Sequence, residues 1–77
     1  MIISNLRVLI AHKEQREGRK LPYRLIAEET GLAINTIFLF YNDRMKRIDK
    51  DTLNTLCNYF NVGPEKILVW TPDGKEA

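Results

Sequence analysis

A chain of 77 residues with 12 Lys and Arg against 10 Asp and Glu has room for one small domain with one compact core, and a net charge of +2 selects no partner by itself. At 44% apolar and 29% charged residues, the composition is that of an ordinary soluble globule, and no apolar run reaches the length of a membrane span. Cys57 is the single cysteine, which excludes an internal disulfide. As MIISNLRVLI also lacks a basic leader and a small-residue cleavage site, a reducing cytoplasm is the expected compartment.

Met1, Ile2 and Ile3 read as a short strand, ended by Ser4 and Asn5, either of which can cap a helix. Leu6, Leu9, Ile10 and Lys13 follow at i, i+3, i+4 and i+7, so the first helix runs to about Arg16. EQREGRK, residues 14–20, is a charged helix end and loop, with Gly18 as the stop. Pro22 suits the first turn of a second helix, because its missing N–H costs nothing there. Tyr23, Ile26, Ala27 and Thr30 form the inner face of that helix, and Gly31 ends it in a left-handed conformation. A third helix is predicted from Ile34 to about Asn42, followed by a basic loop over 43–49.

Asp49 is placed to cap a fourth helix carrying Leu53, Leu56, Cys57 and Phe60 on one stripe. NVGP stops it, and Pro64 opens a short fifth helix with Ile67 and Leu68. Val69, Trp70 and Thr71 read as a second strand, so a single domain spans 1–72, and residues 73–77 are expected to be a flexible tail. The two short apolar strands are expected to pair, since neither is stable alone, with Ile2, Val69 and Trp70 available to a twofold interface.

Positive charge gathers in two places. One is the segment near position 16, with Arg7, Lys13, Arg16, Arg19 and Lys20 against Glu14 and Glu17. The other follows the third helix, where Arg44, Lys46, Arg47 and Lys50 outnumber Asp43 and Asp49.

Ala27, Gly31 and Ile37 occupy the fifth, ninth and fifteenth places of a stretch starting at Tyr23. A small residue lets two helices cross closely, a glycine supplies positive φ for the turn, and a branched apolar residue anchors the second helix. That is the spacing of a helix-turn-helix unit over about 23–42, although any two helices joined by a glycine turn share part of it. With YRLIAEETGLAINTI, RIDKDTLNTLCNYFNV and ILVW in this order, the chain resembles the Cro/C1-type (XRE-type) helix-turn-helix regulators of bacteria and phages.

The resemblance implies an all-α, compact five-helix domain, with a short terminal β-ribbon as an optional addition. It also implies that the domain binds double-stranded DNA as a homodimer, with about 34–42 as the recognition helix. Carried over by position, Ile34, Asn35, Phe38 and Leu39 face the bases. Tyr23, Arg24, Thr36, Asn42, Arg44, Lys46 and Arg47 meet phosphates. The chain departs from the family pattern in the length of its link over 14–20. It departs again at Ile34, Phe38 and Leu39, which stand where polar base-reading residues are common. Asn35 is the polar side chain left to make a bidentate contact with adenine.

NTIFLFYNDRMKR sharpens that departure. Successive helix residues point about 100° apart, so Ile37, Phe38, Leu39, Phe40 and Tyr41 cannot all face the core. Ile37 and Phe40 belong inside, with Tyr41 at the edge, while Ile34, Phe38 and Leu39 are expected on the outward side.

His12 reads as a solvated helix residue, Cys57 as a small core residue and Ser4 as a cap. No triad, metal site, cofactor site or small-molecule site is recognisable, so an enzyme is not expected. Two functions remain. One is a dimeric DNA-binding regulator, a small repressor. The other is a protein-interaction module that keeps the fold and uses the apolar face of the third helix.

Overall fold

The computed structural model describes residues 1–72, which run β1 (Ile2–Ser4), α1 (Leu6–Glu17), α2 (Tyr23–Thr30), α3 (Ile34–Tyr41), α4 (Lys50–Phe60), α5 (Pro64–Ile67) and β2 (Leu68–Trp70). The expected tail over 73–77 lies outside the described residues. Each expected element is present, with shifts of about one residue at its ends. Both strands sit one position from their expected places. Pro22 is the N-cap of α2 and not its first turn, and Asn42 caps α3 instead of belonging to it.

The apolar stripes converge on one core. Leu6 and Ile10 of α1, Leu21 of the following loop, Ile26 of α2, Ile37 and Phe40 of α3, Leu56 and Phe60 of α4, and Ile67 of α5 are all buried in it. Lys13 lies on the same stripe of α1 and is buried too. Its ammonium group donates to the Tyr59 carbonyl at 3.3 Å, pairs with Glu17 at 2.7 Å and lies 4.6 Å from the Tyr59 ring centre, so the charge is not left unpartnered.

Turn chemistry sets the helix ends. Gly31 holds φ at 80° and donates its N–H to the Ala27 carbonyl at 2.8 Å, closing α2 and directing the chain into α3. A Cβ there would meet nothing within 4 Å, so the requirement for glycine comes from the backbone alone. Gly18 and Asn61 end α1 and α4 in the same left-handed region. Asn5 is the N-cap of α1, but Ser4 supplies the side-chain bond there, its hydroxyl accepting the Leu6 N–H at 3.3 Å.

β1 and β2 pair antiparallel, with Ile2 opposite Trp70, Ile3 opposite Val69 and Ser4 opposite Leu68. The ribbon is attached to the helices, because the Asn5 N–H donates to the Ile67 carbonyl at 2.8 Å.

The long link after α1 is fixed by polar contacts. Arg19 donates to Glu17 at 2.7 Å and makes a two-pronged contact with Glu29 at 2.9 and 3.1 Å, while the Tyr59 hydroxyl donates to Glu29 at 2.5 Å. Lys13 and then Arg19 hold the Glu17 carboxyl below its ordinary value of 4.5, and Arg19 and then Tyr59 do the same for Glu29. A depressed carboxyl contributes stability that is fully present above the ordinary value and is lost as pH falls through the lowered folded value. Acid unfolding should therefore steepen below pH 4.5. Following stability against pH for Glu29→Gln should give a shallower acid limb; an unchanged limb would mean that these pairs are energetically silent.

Candidate nucleic-acid interface

The Gly31 turn sets α3 across α2 with Ile37 and Phe40 pointing inward, both at 0% exposure. The opposite side of α3 then has to be outward. Ile34 is 50% exposed and Phe38 is 44% exposed, with Asn35 exposed between them. Leu39, expected on the outward side, is half-buried, as is Thr36. Beyond Asn42 the chain turns back on the end of α3, the Arg44 N–H donating to the Leu39 carbonyl at 2.8 Å.

Phe38 is not a bare ring. Tyr23, the first residue of α2, meets it edge-on at 5.7 Å between ring centres and meets Tyr41 at 5.2 Å. One aromatic side chain thus joins the start of α2 to the outer and inner edges of α3. Tyr23 is half-buried by these contacts, and Arg24 beside it is exposed.

Asn42 spends part of its amide on the helix end, its Nδ2 donating to the Phe38 carbonyl at 2.9 Å. The cations that follow are differently placed. Arg44, Lys46 and Arg47 are exposed, and among the described residues none has an ion-pair or hydrogen-bond partner for its side chain. Met45 points the other way, packed against the core.

The second basic segment, near position 16, is largely consumed. Lys13 is paired with Glu17, and Arg19 with Glu17 and Glu29, so of that segment's cations Arg16 and Lys20 stay exposed without an ion pair among the described residues, against Arg44, Lys46 and Arg47 within four positions of the loop after α3. The charge count along the chain treats the two segments alike; their partners separate them.

A residue that the motif reading passes over lies at the back of α3. The Arg7 guanidinium lies 4.8 Å from the Tyr41 ring centre, and its Nε donates to the Tyr41 carbonyl at 3.2 Å. Arg7 and Tyr41 are 34 positions apart, so no local spacing announces the contact. On the ribbon, Trp70 is 69% and Ile2 65% exposed as a cross-strand pair, whereas Val69, paired with Ile3, is half-buried.

The sequence model of the Cro/C1-type HTH DNA-binding domain family matches residues 5–73, nearly the whole chain. The chain belongs to the Cro/C1-type helix-turn-helix family. No curated protein and no solved structure matches it. As a Cro/C1-type domain it is a DNA-binding regulator of the helix-turn-helix class. Among the described residues no helix is long and apolar enough to cross a membrane, and no group of three or more His, Cys, Asp or Glu could hold a metal ion.

Proposed function

We propose that this Cro/C1-type domain is a small homodimeric repressor that sets α3 in the major groove. The observation that carries the reading is the exposed run from helix to loop. Ile34, Asn35 and Phe38 are exposed on the helix that leads into a loop whose exposed Arg44, Lys46 and Arg47 have no side-chain partner among the described residues. Base contact then falls to Ile34, Asn35, Phe38 and Leu39. Phosphate contact falls to Tyr23 and Arg24 at the start of α2, Thr36, Asn42, and the three loop cations.

The chemistry of this surface points to a particular base preference. The apolar partner that the major groove offers is the thymine methyl group, and Asn reads adenine through its N6 and N7 edge. The preferred sites should contain T-rich steps next to an adenine, with part of the discrimination carried by DNA shape. For assembly, Ile2 and Trp70 form an exposed apolar pair on the ribbon that a second copy would cover, leaving two α3 helices about 34 Å apart, one turn of DNA.

Protein freed of carried-over nucleic acid, offered a random duplex library at moderate salt, should select such sites. Sedimentation in tens of micromolar protein should give a dimer. Indifference to duplex sequence together with a monomer would overturn the reading. It would favour the second reading, a protein-interaction module, which the same exposed Ile34 and Phe38 support.

A further inference from the structure

Asp43 is an acid placed in sequence directly between the outward helix and three exposed cations, where by charge alone it opposes phosphate binding. Its geometry gives it a different part. Its backbone has φ 57, a left-handed conformation that Asp and Asn tolerate better than most side chains. Its N–H donates to the Phe40 carbonyl at 3.1 Å, and its carboxylate accepts the Ser4 N–H at 2.8 Å across 39 positions of chain.

Ser4 belongs to β1, and β1 is itself held. Asn5 donates its backbone N–H to the Ile67 carbonyl at 2.8 Å and its side-chain amide to the Lys66 carbonyl at 3.2 Å, and the Thr71 N–H donates to the Met1 carbonyl at 2.8 Å. Between loop and ribbon lies a mostly apolar cleft of about 230 Å³ walled by Ile2, Phe40, Met45, Ile48 and Leu68, with Ser4, Asp43 and Lys46 also lining it. Apolar walls give little direction, and among the described residues the Asp43 carboxylate supplies the side-chain hydrogen bond from the loop to the ribbon.

We propose that Asp43 is a positioning residue for DNA binding. By tying the loop to β1, it holds Arg44, Lys46 and Arg47 where α3 enters the groove. This rests on the DNA reading above and adds that the terminal ribbon takes part in it.

Three variants separate a tether from a mere charge. Asp43→Asn keeps an acceptor oxygen and tolerance of positive φ while removing the charge. Asp43→Gly removes the same charge and the acceptor, and adopts positive φ freely. Asp43→Ala is a second loss of the acceptor. Against a selected duplex, Asp43→Asn should bind at least as tightly as the parent, about threefold tighter as repulsion falls. Asp43→Gly and Asp43→Ala should bind about tenfold more weakly despite the identical charge change. Amide hydrogen exchange at Ser4 should accelerate at least about tenfold in the Gly and Ala variants and stay slow in the Asn variant.

Equal binding by the Asn and Gly variants, or Ser4 exchange indifferent to all three changes, overturns the proposal. A parent protein that leaves every duplex unbound overturns the DNA reading instead, and Ser4 exchange still decides whether the tether exists.

Discussion

Phe40→Ala is expected to bring the domain to the edge of unfolding, while Phe38→Ala, two positions away on the same helix, leaves it folded. Phe40 has 0% exposure, and its removal would leave a cavity bounded by neighbours from several helices. Such truncations cost about 3 to 5 kcal/mol. A chain of 77 residues holds on the order of 4 to 12 kcal/mol in total, so the loss takes much or all of it. Phe38 is 44% exposed and touches Tyr23 edge-on, so its truncation should cost only about 0.5 to 1.5 kcal/mol. Urea unfolding of the two variants measures both. Equal losses would mean that Phe38 is as deeply packed as Phe40, which removes it from the proposed DNA-facing surface.

Binding to duplex DNA is expected to fall steeply with salt. If Arg24, Arg44, Lys46 and Arg47 each neutralise about one phosphate, a dimer displaces roughly eight counterions and the log–log slope is near −7. Between 50 and 200 mM salt that is a loss of about 10⁴ in affinity. Each change of one of these residues to alanine should make the slope shallower by about 1 to 2 units in the dimer. Arg19→Ala should leave the slope nearly unchanged, because its guanidinium is already engaged by Glu17 and Glu29. A slope near zero, or one indifferent to all four loop and α2 changes, would make these cations ordinary solvated surface.

The contrast between Arg19 and Arg44 also shows what the sequence can and cannot disclose. Helix ends were legible because they rest on local chemistry: Gly18 and Gly31 in left-handed positions, Pro64 opening α5, and stripes at helical spacing that included even the buried Lys13. The pairing of the two terminal strands was legible for a similar reason, since two short apolar segments at opposite ends of one domain have each other as partners. Side-chain partners across the fold were not. Arg7 on Tyr41, Tyr23 on Phe38 and Asp43 on the Ser4 amide each join distant segments, and no periodicity records them. Leu39 makes the same point, since rotation around the helix axis places it outward while in the fold it is half-buried.

The five consecutive large residues from Ile37 to Tyr41 are divided, then, between a core and an outer face, and on the proposed reading DNA is what that outer face meets. The most direct test is Phe38→Ala measured against a library-selected duplex and a scrambled one, at the same salt and with the fold checked by its unfolding curve. Losing apolar contact with a base should weaken selected-site binding by about tenfold or more, and leave scrambled-site binding, which depends on phosphate contacts, nearly unchanged. An alanine variant that binds both duplexes as the parent does would mean that Phe38 meets no base and would leave the exposed face of α3 to a protein partner.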